Sequence, residues 1–153
     1  MTVTISDATP HNRTTTPLGH SVVEVLAPLS SLDFAIGPEV TPDEAMKRAT
    51  AVTSTALPLF LKGHQRADQI SQDVRALMTE LVDVTARHKA GLDLVGRISY
   101  DGTHVTVTVG DMDGPLPPPE EEPGLYLVHR VASDIGQYAG DHGGQVTWAA
   151  VPA

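Results

Sequence analysis

The stretch DVRALMTELVDVTARH, residues 73–88, places apolar side chains at Val74, Leu77, Leu81 and Val84, and the same line runs back to Ile70 and on to His88. Steps of three and four residues put these positions on one side of an α-helix. The spacing predicts a core helix from residue 68 to about residue 89, with Asp68 as its cap and Gly91 as its stop. Glu80 stands one position from the apolar line. A carboxylate there lies at the rim of the core or faces a pocket, since charged side chains are rarely buried without a partner. Periodicity leaves both places open.

Working outward, Thr41-Pro42-Asp43-Glu44 opens an earlier helix. Thr41 caps it, Pro42 suits the first turn, and Glu44 completes a capping box near the positive end of the helix dipole. Ala45, Ala49, Val52, Ala56, Leu57 and Phe60 form its apolar face, and Pro58, which lacks a backbone donor, is expected to end or kink it near Leu57. Before it, residues 21–29 and 32–36 read as two short strands. Residues 1–19, rich in Thr and punctuated by Pro10, Pro17 and Gly19, read as a flexible leader to a single domain over 20–153.

Beyond the central helix, residues 94–100 and 104–109 alternate around Asp101-Gly102, with Val105, Val107 and Val109 on one face and Thr106 and Thr108 on the other. That pattern predicts a β-hairpin. The run from Gly114 to Pro123, dense in Pro and holding Glu120, Glu121 and Glu122, reads as a loop or lid. Residues 124–135 predict a helix with Leu125, Val128, Val131, Ala132 and Ile135 on one face, and 145–151 a last strand. The order implies a two-layer α/β sandwich with a mixed, mostly antiparallel sheet and helices on one face.

Composition narrows the function classes. At 153 residues the chain suits one domain, and its formal charge of −9 with ten scattered Lys and Arg argues against a nucleic-acid surface. The absence of Cys excludes disulfides, thiol nucleophiles and thiolate metal sites. No run approaches the roughly 18 apolar residues of a membrane span, so a soluble, cytoplasmic protein is expected. His64, His88, His104, His129 and His142 show no short ligand spacing. His88 reads as a helix-end histidine. There is no G-x-S-x-G nucleophile motif.

Glu80, Leu81, Val82 and His88 fit E-L-V-x-N-A-x-x-H, and in this the central stretch resembles the N box of the histidine-kinase-like (GHKL) ATPases, in the branch of bacterial anti-sigma-factor serine kinases. The resemblance implies a Bergerat-type ATPase fold with Glu80 as general base and His88 at the nucleotide. Val84 stands where the resemblance expects an Asn that helps hold magnesium, a hard cation that takes oxygen ligands. Asp111 matches the Asp that accepts a hydrogen bond from the adenine amino group, with Gly114 a shifted match to the glycines that follow. Gly124-Leu125-Tyr126-Leu127-Val128 is similar to the second half of the phosphate-binding G-x-G-L-x-L-V, and Glu122 and Pro123 occupy its first positions. Gly143 to Trp148 is similar to the closing strand. The likeness spans about residues 38–151.

Two functions follow as expectations. The first is a regulatory protein that keeps this fold and acts by binding a sigma-factor or anti-anti-sigma-type protein partner, with weak or absent ATP binding. The alternative is an active ATP- and magnesium-dependent serine/threonine kinase acting as an anti-sigma factor. The first is favoured, because Val84 offers no metal ligand and three glutamates repel a triphosphate. The resemblance also implies a homodimer. No direct nucleic-acid or membrane partner is expected.

Overall fold

The computed structural model describes residues 2–8, 29–91, 93–141 and 143–153. In chain order the elements are β1 (Thr2–Ala8), β2 (Leu29–Ile36), α1 (Pro42–Phe60), α2 (Ala67–Arg87), β3 (Leu94–Tyr100), β4 (His104–Met112), α3 (Leu125–Val131), β5 (Asp134–Ala139) and β6 (Gln145–Pro152). The six strands make one sheet in the order β1-β2-β3-β4-β6-β5. All its pairings are antiparallel, so the expected mixed sheet is corrected. The cause is the α1–α2 pair between β2 and β3: two antiparallel helices return the chain to the end it left, whereas one crossover helix would have made the strands parallel.

The expected two layers are present. Leu32, Phe34 and Ile36 of β2, Leu94 and Ile98 of β3, and Val105, Val107 and Val109 of β4 are buried on one side of the sheet. Against them lies the predicted face of α2, with Ile70, Val74, Leu77, Leu81 and Val84 each at most 1% exposed. Strand alternation turns Asp33, Ala35, Val95, Arg97 and Thr108 to the other side, where no helix of the described residues covers them. Phe34 pairs with Gly96, and its ring lies over the glycine: a Cβ at Gly96 would stand 2.6 Å from Phe34 Cε1. The sheet therefore needs glycine there to seat an aromatic ring.

Several boundaries differ from the sequence reading. Thr41 caps α1 by accepting from the Glu44 amide at 3.2 Å, but the Glu44 carboxylate turns to Arg48 instead of closing the box. The helix runs past Pro58 to Phe60, because the carbonyl that Pro58 leaves without a donor belongs to Ser54 on the exposed side. Asp68 is not the cap of α2. Arg66 holds that position without a side-chain bond, and Asp68 sits in the first turn, where its charge favours the dipole.

Nor does Gly91 stop that helix. The chain departs at His88, since Lys89 bridges Met112 and the Ala90 amide donates to the Asp111 carbonyl at 2.9 Å. Strand-like pairing captures the chain before another helical turn forms. Helix α3 ends at Val131, not at residue 135, because the Ser133 amide donates to Ala150 O at 2.8 Å and starts the edge strand β5. Ile135 belongs to that strand.

The hairpin is as the sequence predicts. Val95 to Tyr100 pair with Gly110 to Val105, and Gly102 takes φ 94° in the turn. Of the expected leader, Thr2–Ala8 forms β1, in register with Leu29–Ala35. Residues 9–28 lie outside the described residues, and so does the expected strand over 21–29 apart from Leu29, which opens β2. No helix among the described residues is long and apolar enough to cross a membrane.

The Gly96–Phe34 contact gives a direct test. Gly96→Ala is expected to destabilise by about 1–3 kcal/mol through overpacking, and Phe34→Leu in the same chain should recover part of that loss. Urea unfolding of the two single variants and the double variant measures the coupling; simple additivity would show that the ring does not depend on the glycine.

Candidate functional site

The C-terminal half of α2 and the start of α3 meet in a cluster of charge. Arg87 Nη1 and Nη2 donate to Glu122 Oε1 and Oε2 at 2.8 and 2.7 Å, a bidentate pair, and Arg87 also holds Asp83 one turn back at 3.2 and 3.0 Å. His88 Nε2 lies 3.3 Å from Glu122 Oε1. The Arg87 guanidinium, helped by His88, keeps the Glu122 carboxyl at about 2, well below the usual carboxylate range. Arg87 itself is raised by the same bonds.

Glu80 joins this cluster from one turn further back. Its carboxylate rests against the backbone of Gly124, so close that a Cβ there would overlap Oε2 and stand 2.7 Å from Cδ. Burial pushes its pKa up, Asp83 and Glu122 add to this, and Arg87 opposes it. Thus Glu80, His88 and Gly124 are brought together, with Leu125 buried beneath them at 1% exposed. Leu125 packs in the core, and its amide donates to the Glu122 carbonyl at 2.9 Å.

Asp111 is not brought to that cluster. Val109 and Met112 both face the core, and the register of β4 against β6 shifts between them. A regular strand would set Asp111 on the same side as Val109; the irregularity turns it to the uncovered side. There it is 6% exposed, with the Cα atoms of Gly140 and Gly144 so close that any Cβ would clash with it. Among the described residues nothing donates a hydrogen bond to its buried Oδ2. Gly114 stands apart from both groups: among the described residues beyond its chain neighbours, nothing lies within 4 Å of the position a Cβ would take.

These residues do not fit a magnesium triphosphate. Val84 is 1% exposed in the core and offers no oxygen, the Glu122 carboxylate fills the approach to α3, and that helix has only seven residues. Among the described residues no group of three His, Asp or Glu is arranged for a metal. The proline loop is also tied down more than its composition suggests: Glu122 anchors it to α2, and the Leu116 amide donates to Gln137 Oε1 at 2.9 Å.

Sequence reasoning missed the central role of Arg87. Its i, i+4 spacing from Asp83 was a visible signal, but Glu122 lies 35 positions away and nothing local links them. It also missed the cross-strand pair of Asp33 and Arg97, which closes through Arg97 Nη2 to Asp33 Oδ2 at 3.0 Å on the uncovered face. No protein-family model and no curated protein matches the chain.

Two outcomes follow from the cluster. The Glu122 carboxyl titrates lower in the folded chain than its ordinary 4.5, so the stability it lends is full above pH 4.5 and falls away as pH drops toward 2. Glu122→Gln should cost about 0.5–1 kcal/mol at pH 7, after allowing for the exposed side of the Arg87 pair, and the gap from the parent should narrow between pH 4.5 and 2 in denaturant titrations. Glu80 is raised instead, so its charge opposes folding near neutral pH. Glu80→Gln should leave the melting temperature at pH 7 unchanged or raise it; a clear drop would mean the carboxylate makes a stabilising contact.

Proposed function

We propose that the chain is a regulatory protein of the histidine-kinase-like ATPase architecture that works by binding a protein partner, of the sigma-factor or anti-anti-sigma type, and not by phosphoryl transfer. The order of elements supports the architecture: a long buried helix, a hairpin, a proline-rich loop, a short helix and closing strands. The observation that carries the functional reading is the bidentate Arg87–Glu122 pair. A carboxylate locked to a guanidinium occupies the approach where the resemblance expects glycines and phosphate, and a triphosphate there must displace it against its charge.

A surface for a partner adjoins this pair. Tyr126, on the first turn of α3, is 54% exposed, and it follows the loop that Glu122 fastens to α2. Aromatic side chains with a charged rim are the usual anchors of protein interfaces, because a ring offers much area for little lost rotamer freedom.

Calorimetry with magnesium-ATP tests the reading from one side. No micromolar binding is expected, and a thermal shift at high nucleotide should stay well below the about 2.7 kcal/mol that a ligand gives at 100 times its dissociation constant. Val84→Asn does not serve as a rescue, since it buries an amide in the core and should destabilise by about 1–3 kcal/mol. From the other side, the purified chain is to be titrated with the sigma factors and anti-anti-sigma proteins of its source. Tyr126→Ala should weaken the binding partner at least tenfold, and micromolar magnesium-ATP binding with phosphate transfer would return the kinase reading to first place.

A further inference from the structure

The uncovered face of the sheet carries a second feature, unrelated to the Arg87–Glu122 cluster. Between β2, β3, β4 and the β5–β6 turn lies a groove of about 580 Å³, within the roughly 300–1,000 Å³ span of small-molecule sites. Ala35, Val95 and Val146 give it an apolar floor, and Tyr138, 51% exposed on β5, stands along it.

Its charge is one-sided. Among the described lining residues, Arg97 is the one cation, and Asp33 already holds it. Asp111 and Asp141 remain, both at the end formed by β4 and the β5–β6 turn. Asp111 is 94% buried by its 6% exposure, and among the described residues none donates to its Oδ2. Gly140 and Gly144 bring backbone against this carboxylate, so the fold makes room for it, and yet no described residue donates to Oδ2. A buried carboxylate left so is poorly compensated, and a ligand with several N–H donors and a positive charge compensates it best.

We infer that this groove binds an organic amine, with its primary ammonium group at Asp111 and its apolar or aromatic body along Val95, Val146 and the ring of Tyr138. The ammonium offsets the charge of the Asp111 carboxylate from the groove side, beside the closed Oδ2, Asp141 adds to the attraction, and the Tyr138 ring offers a face for an aromatic body. An anion is disfavoured, because the guanidinium that would receive it is engaged by Asp33. This site lies across the sheet from the residues of the proposed protein-binding surface, so its success or failure is independent of that reading.

The probe is 2-phenylethylamine, compared with 2-phenylethanol, which has nearly the same shape without the charge, and with 3-phenylpropionate. Calorimetry on the full chain at pH 7 should show the amine binding at least tenfold tighter than the alcohol, with the propionate weakest. Asp111→Asn should bring the amine to the level of the alcohol while moving the melting temperature little, since no described residue donates to Oδ2. Tyr138→Ala, on a half-exposed edge position that does not endanger the fold, should weaken the amine several-fold. Equal affinity for amine and alcohol overturns the inference, as does a preference that survives in Asp111→Asn. If Asp111→Asn fails to fold, the amine-to-alcohol ratio in the parent and in Tyr138→Ala decides in its place: a tenfold preference in the parent, with several-fold weaker amine binding in Tyr138→Ala, supports the site, and any smaller preference rejects it.

Discussion

Burial of one face of α2 against the sheet is the constraint on which the other features rest. Ile70, Val74, Leu77, Met78 and Leu81 are all at most 1% exposed, and each such side chain contributes roughly 1.5–3 kcal/mol through removal from water. With that face fixed, the rotation of the helix is fixed as well. Val84 must then point into the core, while Glu80, Asp83 and Arg87 must emerge on the side where α3 begins. The charge cluster is thus a consequence of packing, and its identity was set by which residues fell on the emergent side.

The cluster in turn holds the proline loop. A segment so poor in backbone donors has little means of securing itself by hydrogen bonds, and Glu122 secures it through its side chain. The bidentate geometry makes this more than a surface ion pair, because two parallel bonds fix the direction of the loop as well as its distance. The same contact gives α3 its starting point, beside the Glu80 carboxylate and the bare Cα of Gly124. Fold and candidate function therefore meet in one pair: what orders the loop also puts a negative charge at the approach to α3.

On the other side of the sheet the deciding event is the irregularity near the end of β4. Val109 and Met112 both face the core, so the residues between them are displaced from strict alternation, and Asp111 emerges where no helix of the described residues covers it. A shift of this kind re-aims one side chain without disturbing the pairing of Val105 to Val109 below it. Two residues that the sequence suggests as members of one nucleotide site, Glu80 and Asp111, are separated by the thickness of the sheet.

The sequence by itself determined the elements whose signal is local and periodic. The apolar stripe of α2, the Thr41 cap of α1, the Asp101-Gly102 hairpin and the alternation of Val105, Val107 and Val109 are all written in neighbouring residues, and physical rules of short range suffice to read them. What it left open was decided by contacts between distant parts. The end of α2 at His88 depends on Ala90 meeting Asp111, the short α3 on Ser133 meeting Ala150, and the all-antiparallel sheet on two helices returning the chain to its starting end. Likewise Glu122 became the partner of Arg87, and Asp111 the acidic end of a groove, only once the sheet had brought them there. Backbone hydrogen bonds and ion pairs across such separations have no periodicity along the chain, so tertiary structure alone could assign them.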